Sequence, residues 1–302
     1  AVILLLIAAL GVPTLERARE LSKRMTCAVN LKALGGASEI YADANKGHWM
    51  TPAYWNYAAS QWGIAYLCLG HDSDDIGCVG FERYRQSQSE TLQHPTAGDT
   101  SVTTTRAYWM LVRSGDVSTK QFICPSSQQD LPDPTEQIDS YYDFQDYRNI
   151  SYGYLVPFGP LEVRPRQGRD HRMIFSADKG PYYYNISLDP YTAGPNGTGL
   201  QLGHDPRFWR PFNSPNHGGI GNGEGQNALF ADGRVEFHRI PAIGMDNDNI
   251  YTLMTDEWGF LPFNRIHGDS PHRSAAVNPF PGKEAFGQCA NCFSTTDSLI
   301  YP

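Results

Sequence analysis

The sequence predicts an α+β fold: a long projecting N-terminal helix packed on a small antiparallel sheet, with long loops. Three observations predict it. The first is helical periodicity behind an uncharged start. Ala18, Leu21, Met25 and Ala28 recur at steps of three and four, as do Leu34, Ala37, Tyr41 and Ala44. The second is alternation around Asp232-Gly233, which marks a hairpin between residues 227–231 and 234–237. The third is composition: 29 glycines and 21 prolines in 302 residues leave much of the chain to loops.

Residues 1–12 (AVILLLIAALGV) carry no charge, and Pro13 follows. Charges then fill the positions between the apolar ones: Glu16, Arg17, Arg19, Glu20, Lys23, Arg24 and Lys32. Glu20 precedes Arg24 by four residues, the favourable order for a helical ion pair. A continuous helix over 1–47 would span roughly 70 Å at 1.5 Å per residue, more than the diameter of the domain it would serve. It should therefore project. The dozen apolar residues fall short of the about 20 that a membrane span needs. They also lack the basic start and small-residue cleavage site of a secretory signal. A truncated span, a core helix and an oligomerisation helix remain as readings. The charge cluster at 16–24 speaks against a core helix.

Three regions follow from this: an assembly helix at 1–47, a globular α+β part at 48–239 and a loop-rich extension at 240–302. Trp49, Tyr54, Trp55, Tyr57, Trp62 and Tyr66 crowd the start of the second, as core packing around the helix base or as a sugar-stacking or subunit-contact surface. Residues 71–77 (HDSDDIG) nearly form a calcium loop, but Ile76 stands where Asp or Asn is wanted. They read as a solvated acidic turn. Ser101 to Thr105 (SVTTT) lead as a cap into a short helix at 106–114 with Tyr108, Leu111 and Val112 on its apolar face. Met173-Ile174-Phe175 reads as a buried strand, and 218–225 (GGIGNGEG) as a loop. From residue 264 no periodicity survives, which predicts an extended arm.

Chemistry is sparse. The net charge of −8 argues against nucleic acid, whose binding rests on basic residues. No GxSxG, HExxH or P-loop pattern occurs, so an enzyme is not expected. Asn149, Asn185 and Asn196 open N-glycosylation sequons and mark expected surface. Six cysteines, Cys27, Cys68, Cys78, Cys124, Cys289 and Cys292, allow fifteen pairings. The CxxC at 289–292 is open to a redox or zinc reading, but no second CxxC exists.

The apolar run with Pro13, LERARELSKR at 15–24 and CAVNLKALGGASEIYADANKG at 27–47 resemble the N-terminal helix of bacterial type IV pilins and type II secretion pseudopilins. The resemblance resumes at FICPS (122–126), SYGYLVPFG (151–159), SADKGPY (176–182), SPNHGGIGNGEGQNALFADGRVEF (214–237) and DNDNIYT (246–252). It covers about two thirds of the chain in pieces. The family's processed start, a methylated aromatic followed by a glutamate, is missing, so Ala1 resembles a point inside the mature helix.

The resemblance implies a bacterial, extracellular filament of identical subunits, in contact with membrane only before assembly. Its interface would be Val2, Ile3, Leu4, Leu5, Leu6, Ile7, Leu10 and Pro13, with Pro13 and Gly11 loosening the helix. A pseudopilin of a type II secretion system is the alternative. A secreted carbohydrate-binding or carbohydrate-active protein, using the aromatic loops, is a third reading. An oxidising setting implies disulfides: Cys68–Cys78 around the acidic loop, Cys289–Cys292, and Cys27–Cys124 joining helix to globule. Asp246 and Asp248 are the implied calcium ligands, against a plain turn. His217 and Asp232 match a signature His and Asp-Gly. They form either a metal or acid–base pair, or a turn aspartate beside a histidine that hydrogen-bonds the glycine loop.

Overall fold

A computed structural model of the chain describes residues 2–51, 104–141, 143–145, 147–155, 157, 164–181, 195, 200–251, 298 and 300–301. Cys68, Cys78, Cys289, Cys292, Asn185, Asn196, the aromatic run 54–66 and the acidic turn 71–77 lie outside them.

The first helix, α1, runs over Val2–Ala44 without a break. Its 43 residues span about 65 Å at 1.5 Å per residue. Pro13 sits inside it, so the expected loosening does not interrupt the helix. The ring costs one backbone donor, and its fixed φ is already a helical one. Among the described residues, no helix is long and apolar enough to cross a membrane. The chain leaves α1 through a turn in which Lys46 and Gly47 take positive φ. Trp49 then folds onto Phe175, with ring centroids 4.2 Å apart.

The second helix, α2, covers Thr105–Ser114 and ends in a left-handed Gly115, whose N–H caps the carbonyls of Leu111 and Val112. Its predicted apolar face, Tyr108, Leu111 and Val112, is buried.

Among the described residues, five strands form one antiparallel sheet in the order β4-β3-β2-β1-β5. They are β1 (Tyr152–Leu155), β2 (Ile174–Asp178), β3 (Gln226–Phe230), β4 (Val235–His238) and β5 (Ile300–Tyr301). Every residue of β1, β2 and β3 is buried. Alternate side chains point to opposite faces of a strand, so both faces of the central sheet are covered. The β3–β4 hairpin turns on Asp232-Gly233, with Leu229 opposite Val235 and Gly233 at φ 78°. Helix α1 lies across β3 and β4 and buries Cys27, Leu31, Leu34, Ser38 and Ala42. Gly35 lets it come close: a Cβ there would stand 3.0 Å from Leu229.

Two expectations need correction. The C-terminal end does not stay an arm, because Ile300 pairs with Leu155 at the sheet edge. Two unpaired strand edges attract a partner, and the terminus supplies one for β1. Asn149 is not at the surface: it is buried, and its amide donates to the Leu131 carbonyl at 2.9 Å. The nitrogen that a glycan would need is spent on holding a loop.

Candidate functional site

The glycine loop after His217 creates the site. Gly218, Gly219, Gly221 and Gly225 all have positive φ. A Cβ on Gly225 would lie 2.1 Å from the His238 carbonyl, and one on Gly218 2.4 Å from that of Asn222. Only glycine allows both the conformation and the approach. The loop closes on itself: Glu224 N–H donates to the His217 carbonyl at 2.6 Å, and His217 bridges Gly225. So the backbone of His217 bonds the loop, as expected of a structural histidine, but its ring does something else.

The His217 ring is fully buried between two carboxylates from different elements. Nδ1 lies 2.9 Å from Glu20 Oε1 on α1, and Nε2 lies 3.3 Å from Asp178 Oδ2 at the end of β2. Asn227 Nδ2 turns to the same Asp178 oxygen at 3.2 Å, and the Asn227 backbone N–H donates to it at 2.6 Å. Asn216 donates to the other oxygen, Asp178 Oδ1, at 3.0 Å. Burial by itself would lower the pKa of His217. The charge and hydrogen bond of Asp178, and then Glu20, outweigh it and hold the pKa raised. Glu20 also accepts from Ser126 Oγ at 2.9 Å and pairs with Arg24 at 3.5 Å. Arg24 in turn pairs with Glu224 and lies over the Phe237 ring, 4.4 Å from its centroid.

Cys27 of α1 and Cys124 are joined by a disulfide against this ring, with Cα atoms 5.3 Å apart. Cys124 Sγ is 3.8 Å from His217 Nε2. Helix, loop 123–126, glycine loop and β2 thus converge on one imidazole. A second buried cluster stands close in sequence: Lys179 Nζ donates to Asp130 at 2.9 Å, and Ser151 Oγ bonds the same carboxylate at 2.6 Å.

The arrangement orients an imidazole. Among the described residues, the ring nitrogens face carboxylates, an amide and a sulfur. Asp232 is elsewhere. It is exposed in the hairpin turn, where Arg234 donates to it from the backbone at 3.0 Å and from the guanidinium at 2.7 Å. The metal or acid–base pairing of His217 with Asp232 is therefore corrected: the partner carboxylates are Glu20 and Asp178. A short-range pattern search could not find them, because they lie 197 and 39 residues from His217. The one clue was an Asp-Lys pair within SADKG, charged residues in an apolar strand setting.

Asp248 is buried, and its Oδ2 accepts from the Ser298 N–H at 3.1 Å. The side chain of Asp246 lies outside the described residues. No family model, no curated protein and no solved structure matches this chain.

Proposed function

We propose that this chain is the structural subunit of an extracellular pilus-like filament on a bacterial surface, assembled through α1. One observation carries the reading. The face of α1 turned away from the sheet is apolar and exposed: Leu21 at 59%, Met25 at 66%, Val29 at 66% and Ile40 at 64%. At 100° per residue this stripe lies roughly half a turn around the helix from Cys27, Leu31 and Leu34. Ala18, Ser22 and Gly36 are the small residues along it. It leads back into the uncharged residues 2–12. A helix with apolar stripes on two faces needs two partners, and the sheet supplies one.

The second partner in this proposal is the same helix from another copy. Small residues on the stripe let identical helices approach closely. Residues 16–24 hold four cations against two anions, while Glu39 and Asp43 make the other end of the helix acidic. Parallel copies shifted along the axis would set basic belt against acidic end. Such a shifted contact does not close on itself and gives an open helical filament. Each large apolar side chain so covered contributes about 1.5–3 kcal/mol.

The test uses the full chain with Leu21→Glu, Met25→Glu and Val29→Glu. Light scattering and negative-stain images should show loss of filaments, with the melting temperature unchanged because the residues face solvent. A triple variant that still polymerises would move the assembly contacts elsewhere. A short periplasmic piston of a secretion system would use the same stripe, and filament length in the images separates the two. Calcium at Asp246 and Asp248 is proposed with it. A chelator should then lower the melting temperature of the wild-type chain but not of Asp248→Ala. Equal melting with and without chelator would leave Asp248 as the anchor of Ser298 alone.

A further inference from the structure

Four donor atoms of different chemistry meet in the core: the sulfurs of Cys27 and Cys124, a carboxylate oxygen of Asp178 and a ring nitrogen of His217. All four residues are buried, and the atoms lie within 4.8 Å of one another. A zinc tetrahedron built from bonds of about 2.0–2.3 Å has edges of roughly 3.3–3.8 Å. His217 Nε2 stands 3.3 Å from Asp178 Oδ2 and 3.8 Å from Cys124 Sγ, already at such edges. We propose that, with Cys27 and Cys124 as thiols, this cluster is a closed structural zinc site of two sulfurs, one imidazole and one carboxylate.

Three features fit that ion. Two thiolates and an imidazole are a soft and borderline set, suited to zinc and not to calcium or magnesium. His217 presents Nε2 inward while Glu20 holds Nδ1 at 2.9 Å. That outer carboxylate is the partner metal-bound histidines ordinarily have, and it fixes both tautomer and ring plane. Asp178 is itself held by Asn216 and by the Asn227 backbone, so its oxygen is aimed before any ion arrives. Glu20 and Ser126 are both part-exposed, and the Ser126 hydroxyl donates to the Glu20 carboxylate beside the ring.

The disulfide and the zinc form exclude each other. Exchange with a dithiol passes two electrons and two protons to the Cys27–Cys124 bond: the reductant becomes a disulfide and two thiols remain here. Zinc then displaces the two thiol protons to solvent, and the sulfurs part to about 3.8 Å on the metal. Oxidation by a disulfide of another protein reverses the electron flow and expels the ion. Either form clasps α1 to the same loop, so the helix would be held both in a reducing and in an oxidising compartment. This inference does not depend on filament assembly.

The experiment uses the full chain with Cys68, Cys78, Cys289 and Cys292 changed to Ser, reduced with a phosphine and titrated with Co²⁺. One Co²⁺ per chain should bind, with a sulfur-to-cobalt charge-transfer band and the intense visible bands of a tetrahedral site, and Zn²⁺ should displace it. The disulfide form should give no bands. Changing both Cys27 and Cys124 to Ser should remove the sulfur band, and Glu20→Gln should keep the bands while weakening zinc binding about 10–100-fold. A reduced chain that keeps its folded circular dichroism yet shows no bands overturns the proposal, as does a sulfur band that survives the loss of both Cys27 and Cys124. If the fourfold variant does not fold, the reduced native chain serves: changing Cys27 and Cys124 to Ser must remove one bound Co²⁺ per chain, and an unchanged stoichiometry overturns the site.

Discussion

Lys179 and Asp130 are both fully buried at side-chain level, 2.9 Å apart, and each charge is tolerated only because the other is there. Lys179 also donates to the Ile150 carbonyl at 2.8 Å. Lys179→Met should therefore cost about 3–5 kcal/mol, since it strands a buried carboxylate. Adding Asp130→Leu should recover part of that loss. Urea melts of both variants check it, and a single variant that loses under about 1 kcal/mol would show water reaching the pair. Gly225 makes a second case. Its φ of 146° and the 2.1 Å gap to the His238 carbonyl leave no room for a methyl group. Gly225→Ala should cost well beyond the about 1 kcal/mol scale of helix propensity, and it should loosen His217, read as faster exchange of the Glu224 amide. Gly225 could be read as a loop residue from GGIGNGEG alone, but its role could not, because the carbonyl it must clear belongs to the next hairpin strand.

At the scale of elements, α1 turns one face to the sheet and the opposite face to solvent, and Gly35 and Gly36 divide between them. Gly35 meets Leu229, while a Cβ on Gly36 would meet nothing within 4 Å. Gly36→Ala should raise the stability of the subunit by about 0.4–1 kcal/mol by restricting the unfolded chain. Gly36→Leu should leave the subunit folded and block close helix approach, so pelleting should fall for Leu and not for Ala. If neither changes pelleting, Gly36 is outside the assembly contact. Strand β4 carries a pH effect. Burial holds the pKa of His238 below its ordinary 6.5, against Glu236, which raises it, while Arg234 lowers it further. A depressed histidine contributes stability that is present above the unfolded value and lost as pH falls through the folded one. Melting temperature should thus drop from about pH 7 downward, and His238→Gln should make that drop shallower. An identical slope in the variant would assign the acid sensitivity to other groups.

For the whole molecule, the Cys27–Cys124 bond closes a stretch of 97 residues and ties α1 to the loop at 123–126. With chelator present, reduction should cost about 2–4 kcal/mol, chiefly by freeing the unfolded chain. Calorimetry with and without reductant measures it, and an unchanged melt would mean that packing of Leu31 and Leu34 alone holds the helix.

What the sequence by itself determined was local. Spacing of apolar residues placed α1 and α2, turn chemistry placed the β3–β4 hairpin, and the charge-free start separated residues 1–12 from the rest. Each signal acts over a few residues, within reach of one helical turn or one hairpin. Only the tertiary structure decided what His217 does. Its partners arrive from α1, from β2 and from β3, and chain closure over such distances leaves no periodic trace. The same holds for Asn149, whose sequon reads as surface although its amide is buried, and for β5, whose two residues join the sheet only because β1 offers an open edge. The exposed stripe of α1 lies between these cases. Leu21 and Met25 were visible as apolar positions, but a helix pattern does not say which apolar face the sheet will take, and packing against β3 and β4 left this one in solvent.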